Sequence, residues 1–512
     1  MSPKILYNKY SASQIEITNI YLNALYPIIL NQLSEDIERC YKLNWRSNNY
    51  EVFLGNFVLL MSHVIHDRWI TISNNAAPHN KSLNITIPKD FLEFSEWCVT
   101  SDTFNCHVHL ILGTILASNK ASTYVLPTSA EGYAGIDNNV FDNSKVLVDS
   151  PYFLNSKFEE NEFKSCNDKD CVFVFNDRRQ HSKYFNLNKQ FRTESLEAKI
   201  NNFEEACLAL CKLYIPVDYL ESLTALKVLK KAYPPKAVYT SIGCHFNTPI
   251  KYLVGEYINK IPYWIHQHGG GYGMLNTVVP EFYERRVASK YFTWGWIEDS
   301  KTSPLPTKPR INRYDDPKVV LLKTLLGCKY RKYLILDNPI YKENIDLTKS
   351  TIAFLQKISP RIQLHIAHYE NNKTNIGVDI NELYHNNSKH FPDRSRPDGA
   401  YKIHVCNYLG TSWLESISSD IPTIVFIESN KYSFRPNAKI LIDELIDIGI
   451  IHHSPESAAD HLNNVYDNPD KWWNSSELQN IRSKFTKKYA NFNSNWPSYW
   501  QSNFANNLKL IN

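Results

Sequence analysis

The chain has 512 residues and nearly balanced charge, with 56 Lys and Arg against 52 Asp and Glu. This length predicts two or three domains, and a net charge of +4 without a basic cluster argues against nucleic acid as a partner. The ten cysteines lack the spacing of a zinc site or a disulfide framework, which predicts a reducing, cytoplasmic environment and no bound metal.

Residues 1–75 are predicted to form a helical N-terminal region. Apolar residues recur at three-and-four spacing through 11–43 and again through 49–72. The first residues show no basic segment followed by an apolar one, so no signal peptide is predicted. The apolar run 57–69 is too short to span a bilayer. Its last four residues, HDRW, are predicted to hold a buried ion pair or a helix cap.

Residues 76–300 alternate between short apolar runs and helical stretches. Alternation of this kind predicts a parallel sheet with helices on both faces, which we interpret as an N-terminal, acceptor-side Rossmann-like domain. The predicted strands are CHVHLILG, KVLVDSPYF, AVYTSIG, PYWIHQHGG and YFTWGW, and the predicted helices are SLTALKVLKKAYPP, NTPIKYLVGEYINK and VPEFYERRVASK.

Residues 301–330 hold a proline-rich break that is predicted to be a linker, and a second alternation follows in 331–512. This second part is predicted to be a C-terminal Rossmann-like, nucleotide-binding domain with terminal helices. Two such domains in tandem place a cleft between them. The second set of predicted strands is KYLILD, RIQLHIAH, YKIHVCNY and PTIVFIE, and its predicted helices are STIAFLQKI and SWLESISS.

The stretch QHGGGYG, residues 267–273, contains four of the chain's 16 glycines. It follows a predicted strand and precedes a predicted helix, so its glycines can adopt positive φ and let a ligand approach the backbone. The spacing differs from the dinucleotide-binding fingerprint. We interpret the stretch as a loop that binds an anion or a polar sugar, with a tight turn that binds nothing as the alternative. His268 is either an acid–base group or a hydrogen-bonded core residue.

A second candidate site is the start of a predicted helix at Gly410, Thr411 and Ser412. Backbone N–H groups and hydroxyls at a helix N-terminus attract phosphate. An ordinary helix cap is the alternative, because Ser and Thr are standard capping residues.

Two further predicted strands end in polar residues. Asp149 follows one of them, and His245 and Asn247 follow another. Each is either a catalytic group or a structural one. Glu281 and Glu284 lie one turn apart on a helix face, and together with Arg285 and Arg286 they are typical of a solvated face.

Taken in order, QHGGGYG, Glu284, FTWGW, GTSWLESISSDIPTIVF and GIIHHSPESAADHLNNVYDNPDKWW resemble a bacterial family of transferases from O-antigen and surface-polysaccharide regions. HDRW fits the same family, and the resemblance runs through most of the chain. The family has an Asp shortly before its aromatic-Trp-Gly-Trp strand where this chain has Ser289, and the helices before HDRW are less typical. These departures bear on the donor or acceptor rather than on the class.

The resemblance implies an α/β, GT-B-like fold, with two Rossmann-like, doubly wound domains facing a cleft and a helical N-terminal region. It is similar to GT-B enzymes that transfer Kdo or pseudaminic acid from CMP-linked donors. The substrate-binding residues that it implies in the N-terminal domain are Gln267, His268, Gly269, Gly270, Tyr272 and Glu284. The nucleotide-binding residues that it implies in the C-terminal domain are Gly410, Thr411, Ser412 and Glu415.

The activity that follows is a glycosyltransferase of O-antigen or capsule synthesis. It would move a nonulosonic acid or Kdo-type sugar from a CMP-activated donor to a glycan or lipid-linked glycan acceptor, in the cytoplasm or at the inner face of the inner membrane. No DxD motif stands in a candidate site, which favours a mechanism without metal or cofactor in which protein groups neutralise the departing phosphate.

The stereochemical course stays open at this point. Asp149 is the candidate nucleophile of a retaining reaction, with His245 or His268 as acid–base partner, and in an inverting reaction the same groups would act as general base. Two alternatives to glycosyl transfer remain. One is transfer of another nucleotide-activated group, such as a polyol phosphate, and the other is a non-catalytic factor that binds glycan or nucleotide.

Overall fold

The structure is a computed structural model of the chain. It describes residues 12–75, 84–93, 102–117, 123–134, 145–149, 171–174, 182–227, 234–309, 319–324, 344–368, 388–392, 401–428 and 432–509.

Two long helices, α1 (Ala12–Tyr41) and α2 (Ser47–Asn75), open the described chain and confirm the helical N-terminal region. Helix α2 is buried on nearly all sides, as its apolar composition requires. It packs on the first domain, where the Tyr283 hydroxyl donates to the Val52 carbonyl at 2.8 Å. Within HDRW, Asp67 and Arg68 form a buried ion pair, which is one of the two predicted roles.

The following elements lead to and include the first large sheet. In chain order they are β1 (Asn84–Thr86), α3 (Asp102–Ala117), β2 (Thr123–Val125), β3 (Ser129–Tyr133), β4 (Val146–Asp149), β5 (Cys171–Val174), β6 (Ser182–Asn186), α4 (Lys189–Glu197), α5 (Phe203–Tyr214), α6 (Leu223–Leu226), β7 (Ala237–Thr240), α7 (Gly243–Phe246), α8 (Thr248–Tyr257), β8 (Tyr263–His266), α9 (Val279–Val287), β9 (Lys290–Thr293) and β10 (Thr302–Pro304).

One predicted strand, CHVHLILG, is wrong, because these residues lie within helix α3. Val108, Ile111 and Leu112 are fully buried, at the three-and-four spacing of one helix face. A short apolar run reads equally well as a buried strand or as a helix, and only its packing partners decide between them.

The first large sheet has six strands in the order β10-β9-β8-β7-β4-β5, and every neighbouring pair is parallel. By position in the chain, the first strand, β4, lies between the second and the third. The carboxyl ends of β4 and β7 therefore flank the switch point at which ligands bind in open α/β sheets.

The segment 301–330, predicted as a linker, contains both β10, the edge strand of the first large sheet, and β11 (Val319–Thr324), with which the second large sheet begins. Proline-rich composition hid two short strands from the sequence. The remaining elements are α10 (Asn344–Lys357), β12 (Leu364–His368), β13 (Ser388–Pro392), β14 (Tyr401–Cys406), α11 (Thr411–Ser418), β15 (Thr423–Phe426), α12 (Pro436–Asp447), β16 (Ile451–His452), α13 (Pro455–Val465), α14 (Pro469–Trp473), α15 (Ser476–Tyr489) and α16 (Trp496–Lys509).

The strand order of the second sheet is β13-β12-β11-β14-β15-β16, again with every pair parallel. In chain order this is 3-2-1-4-5-6, the Rossmann order, with its switch point between β11 and β14. Two doubly wound parallel sheets and a helical N-terminal region confirm the predicted fold class. The predicted strand KYLILD and part of the predicted helix SLTALKVLKKAYPP lie outside the described residues.

The last helix, α16, returns to the first domain. Its Trp500 and Phe504 are buried against Tyr239 and Phe292 of the first sheet. The Trp500 indole N–H also donates to the Pro306 carbonyl at 2.7 Å. The end of the chain thus belongs physically to the N-terminal half of the fold. Of the helices that the structure describes, none combines the length and apolar character needed to cross a membrane.

Candidate functional site

The glycine loop, residues 267–278 between β8 and α9, lies directly against the start of α11 in the second domain. The Gly270 N–H donates to the Thr411 Oγ1 at 3.1 Å. A Cβ added to Gly270 would lie 2.5 Å from the carbonyl carbon and oxygen of Gly410. The two loops that the sequence singled out therefore meet. The close approach predicted for a ligand at Gly270 is made here by the backbone of the other domain.

The other glycines of the loop are required by backbone conformation and by packing. Gly271 and Gly273 have φ of +90° and +69°, which side chains rarely tolerate. A Cβ on Gly273 would also lie 2.5 Å from the Trp296 ring. On Gly269 it would lie 2.9 Å from the Tyr272 ring. The loop is consequently a rigid turn that holds its flanking residues in fixed positions.

Gln267 is buried and ties the glycine loop to the Trp-Gly-Trp segment. Its side-chain oxygen accepts from the Trp294 backbone N–H at 3.0 Å and from the Trp296 indole N–H at 2.8 Å. Its amide group donates to the Gly269 carbonyl at 2.9 Å. The predicted substrate contact at Gln267 is thus occupied by protein groups, and the residue braces the loop.

Glu284 of α9 is fully buried among hydroxyl and imidazole groups. Its Oε1 lies 2.7 Å from His245 Nε2, 3.2 Å from His268 Nδ1 and 3.1 Å from the Tyr272 hydroxyl. Its Oε2 accepts from the Tyr291 hydroxyl at 2.7 Å. A carboxylate with no exposed surface cannot touch a substrate. In this geometry Glu284 therefore contacts protein side chains and not the predicted substrate.

The surroundings of Glu284 keep its carboxylate ionised. Burial by itself would raise the pKa of Glu284, but the charge of His268 and the hydrogen bonds from His245 and His268 outweigh burial and lower that pKa to about 2. The site therefore contains a permanent buried anion that two imidazoles share.

The two histidines differ in access. The side chain of His268 is 20% exposed, whereas that of His245 is only 3% exposed. Their rings meet edge to face with centroids 5.2 Å apart. Of the two predicted acid–base groups, only His268 has a side chain with appreciable exposed surface.

Asp149 lies at the switch point of the first sheet but has no exposed surface. Its carboxylate accepts from Asn247 Nδ2 at 2.7 Å and from Thr240 Oγ1 at 3.4 Å. A Cβ on Gly243 would lie 1.9 Å from the same carboxylate. A nucleophile must reach the sugar, so this geometry does not support the predicted nucleophile. It makes Asp149 a structural acceptor that joins the ends of β4 and β7.

In the second domain, the start of α11 lies at the switch point between β11 and β14. Ser412 is almost buried, and its Oγ lies 2.9 Å from the Nζ of Lys323 on β11. Lys323 is 3% exposed. The Asn407 side chain bridges the two strand ends by donating to Thr324 Oγ1 at 2.6 Å. The amine of Lys323 thus lies beside a helix N-terminus, where the helix dipole favours anions. Glu415, another predicted nucleotide contact, is buried one turn further along the helix.

Arg435, at the start of α12, connects the domains on the far side of the glycine loop. Its backbone N–H donates to the Met274 carbonyl at 2.8 Å, and its Nε donates to the Leu275 carbonyl at 3.1 Å. Its guanidinium also lies 2.7 Å from Glu281. Burial raises the pKa of Glu281, and the charge of Arg435 opposes that effect. The loop is thus held from both ends by the second domain.

One group in the described residues has the composition of a metal site. The ligand atoms of Cys244, His245 and Glu284 lie within 4.8 Å of one another. However, both carboxylate oxygens of Glu284 already accept hydrogen bonds from histidine or tyrosine groups. A metal ion would have to displace some of them, so the present geometry fits a hydrogen-bonded cluster better than a coordination site.

The sequence located both loops but missed several residues that organise them. Lys323 lies in the predicted linker, and Tyr291 and Arg435 carry no motif of their own. The continuous apolar run 319–322 just before Lys323 was the available signal for the first of these. No local signal points to the other two, because their partners are distant in the chain.

A family model described as LIC12162 family transferase matches residues 5–504. A comparison with curated proteins gave no match. Among solved structures, the wall teichoic acid polymerase TagF is 9% identical with a TM-score of 0.38, and the match covers 73% of this chain and 91% of that chain.

Two further solved structures give similar values. MurG of Acinetobacter baumannii is 13% identical with a TM-score of 0.34, and the match covers 71% of this chain and 99% of that chain. The spinosyn rhamnosyltransferase SpnG, in complex with spinosyn aglycone, is 10% identical with a TM-score of 0.32, covering 84% and 100% of the two chains. At TM-scores this low, the fold class is assigned from the strand orders of the chain itself.

Proposed function

The chain belongs to the LIC12162 family of transferases, and from this premise we propose that it is a glycosyltransferase. The donor in this proposal is a nucleotide-activated sugar, a CMP-linked nonulosonic acid or Kdo-type sugar. The acceptor is a glycan or lipid-linked glycan of a surface polysaccharide, either O-antigen or capsule. The reaction takes place in the cytoplasm, at the inner face of the inner membrane.

The observation that carries this proposal is the meeting of two chemically different loops between the sheets. One loop presents the partly exposed His268 beside the buried Glu284 carboxylate. The other is the positive start of α11, which contacts the first loop through Thr411 and Gly270. An acid–base group next to an anion-attracting helix start suits transfer of a sugar away from a phosphate.

The nucleotide phosphate is proposed to bind at Gly410, Thr411 and Ser412, with the ribose towards Glu415. Lys323 lies 2.9 Å from Ser412 and adds a fixed positive charge beside that position. The leaving group of a CMP-sugar is CMP, a phosphate monoester, and these groups can neutralise the charge that develops on its phosphate. The proposed mechanism therefore needs no metal ion or cofactor.

His268 is proposed to act as the general base, with the acceptor hydroxyl as its proton donor. The hydroxyl oxygen forms a bond to the anomeric carbon while the bond from that carbon to the phosphate oxygen breaks. The electron pair of the broken bond leaves with the phosphate, and the hydroxyl proton goes to His268. Gly269, Gly270 and Tyr272 shape the wall that surrounds the sugar.

Nucleotide binding tests the donor half of the proposal. We expect CMP to raise the melting temperature more than CDP, UDP or GDP, because a ligand at 100 times its Kd adds about 2.7 kcal/mol to the stability of the state that binds it. A larger shift with CDP would favour the alternative of polyol phosphate transfer. No shift with any of the four nucleotides would contradict the proposal.

Substitution of His268 separates an enzyme from a non-catalytic binder. His268→Ala should lower turnover of a CMP-sugar by roughly a hundredfold or more, the usual effect of losing an acid–base group, while CMP binding is retained. The matched control is His453→Ala, since His453 is exposed in the second domain. Binding of CMP without turnover by the unaltered protein, with every glycan acceptor tried, would favour the binder.

A further inference from the structure

The placement of Glu284 assigns it a role that no motif revealed. Its carboxylate is fully buried and receives groups from three different parts of the first domain. His245 follows β7, His268 and Tyr272 belong to the glycine loop, and Tyr291 lies on β9. Contacts from three sides leave the carboxylate little freedom to rotate.

We propose that Glu284 is the positioning residue of the site: its carboxylate faces His268 Nδ1, keeps the proton on that nitrogen and thereby makes Nε2 the nitrogen that takes the transferred proton. This inference rests on the proposed function and deepens it. The Nδ1 of His268 lies 3.2 Å from the carboxylate, and Nε2 lies 3.4 Å from the Tyr272 hydroxyl, which also lies 3.1 Å from Glu284 Oε1.

A neutral imidazole carries its proton on one nitrogen and a lone pair on the other. A carboxylate that accepts from Nδ1–H fixes this tautomer, and the same anion stabilises the imidazolium that forms when Nε2 takes a proton. Glu284 thus supplies orientation before the reaction and charge compensation during it. The carboxylate itself neither gains nor loses a proton.

His245 contacts the same Glu284 carboxylate from the buried side. Its Nε2 lies 2.7 Å from the oxygen that also faces His268. Since its side chain is 3% exposed, it holds the carboxylate and does not meet the substrate. This assignment replaces the catalytic role that the sequence predicted for His245.

The tautomer of His268 can be measured without knowing the donor. In protein labelled with ¹⁵N-histidine, we expect the ¹⁵N shifts of neutral His268 to show Nδ1 protonated, with His268→Gln used to assign the signals. Glu284→Gln should weaken or abolish this signature because the amide carries no charge. A neutral His268 protonated at Nε2 in the unaltered protein would overturn the proposal.

Kinetics provide the second readout, with CMP-N-acetylneuraminic acid as the donor probe and release of CMP as the signal. Glu284→Gln should lower kcat by roughly 10²–10⁴-fold with little change in KM for the donor, since the nucleotide binds to the other domain. The pH–rate profile should also change, because the variant removes the negative charge beside the imidazole that takes the proton.

A matched control distinguishes positioning from stability. Glu221 is another buried carboxylate, paired with Arg192 at 2.7 Å and remote from the glycine loop in the chain. Glu221→Gln should lower the melting temperature without moving the pH–rate profile. Tyr291→Phe, which removes one hydrogen bond to Glu284, should move kcat in the same direction as Glu284→Gln by a smaller factor. If Glu284→Gln and Tyr291→Phe lose only stability, the proposal is wrong.

Different results would contradict the glycosyltransferase activity and the positioning role of Glu284. If the unaltered protein turns over no nucleotide-sugar but His268 shows the Nδ1–H tautomer only when Glu284 is present, the glycosyltransferase proposal fails and the positioning contact stands. If turnover is normal in Glu284→Gln, the positioning role fails and the glycosyltransferase proposal stands.

Discussion

The histidines of this chain differ in the surroundings of their rings. His268 is partly exposed beside a carboxylate, whereas His63 and His266 are buried. Burial lowers the pKa of both His63 and His266 to about 3, so both are neutral at ordinary pH. The sequence left two possible roles for His268. Neither its exposure nor its contact with Glu284, 16 residues further along, can be predicted from the residues next to it.

The buried His63 allows a prediction about how stability changes as the pH falls. Burial, and to a lesser degree His66, lowers the pKa of His63 from 6.5 to about 3. Unfolded chains bind a proton there below pH 6.5, whereas the folded chain does so only near pH 3. Stability is therefore lost as the pH falls through this window, by at most about 1.4 kcal/mol per pH unit for one group.

We expect His63→Leu to flatten the fall in melting temperature between pH 7 and pH 5. The reason is that leucine has no proton to gain on unfolding. His453→Gln, a change at an exposed histidine of the second domain, should leave the fall unchanged. Equal pH dependence in His63→Leu and the unaltered protein would show that other groups dominate acid unfolding.

A second prediction for a single residue concerns Gly270. A valine side chain there would collide with the Gly410 carbonyl, 2.5 Å from its Cβ. Gly270→Val should therefore abolish turnover by separating the two loops, while each domain stays folded. Gly271→Ala is the control, because its strain is local: φ is +90° and the nearest contact, at 3.2 Å, is Leu275 in the same loop.

The two glycine variants are compared by melting temperature and by turnover per folded molecule. Gly271→Ala should cost roughly 1–3 kcal/mol of stability and retain more activity than Gly270→Val. Normal turnover in Gly270→Val would mean that the contact between loops has no part in the reaction.

At the scale of elements, periodicity predicted most helices and failed where packing decides. Both N-terminal helices follow from apolar spacing over 30 and 29 residues. The run 106–113 was assigned to a strand because eight apolar or ambivalent residues fit both periods, and only its burial between other helices makes it helical. Strand β11 was missed because it follows a proline-rich break and has only six residues.

The missed strand matters because it carries Lys323 to the start of α11. We expect Lys323→Met to weaken CMP binding by roughly 10-fold or more, since a charge-assisted hydrogen bond contributes about 1.5–3 kcal/mol. The methionine keeps an unbranched chain of similar size but removes the amine and its hydrogen bond to Ser412. Isothermal titration of CMP measures the effect.

Lys402→Met is the matched control for Lys323→Met. Lys402 lies on the neighbouring strand β14, where its ammonium group stacks over Tyr466 rather than facing Ser412. Its loss should leave CMP affinity unchanged. Equal weakening in both variants would indicate a general effect of net charge and would move the proposed phosphate position away from Ser412.

At the scale of the whole molecule, the two Rossmann-like halves are joined by more than a linker. Helix α16 packs on the first sheet through Trp500 and Phe504, and the glycine loop contacts both α11 and the segment before α12. The sequence predicted two domains and a cleft from strand–helix alternation. It could not predict that the glycine loop forms part of the joint, because a glycine-rich loop looks the same whether ligand or backbone lies against it.

The last prediction concerns Arg435, one of the side chains that cross this joint. Its guanidinium reaches Glu281 at 2.7 Å and the Leu275 carbonyl at 3.1 Å. Arg435→Ala should speed backbone hydrogen exchange in 271–276 by roughly tenfold or more, as expected for loss of about 1.4 kcal/mol or more of local stability. Exchange in the sheet strands β11 and β14 should not change. Lys439→Ala is the control, since Lys439 lies on the same helix, pairs with Asp443 and is 58% exposed. Unchanged exchange in 271–276 would mean that backbone contacts alone hold the loop, and that the domains are coupled without the arginine.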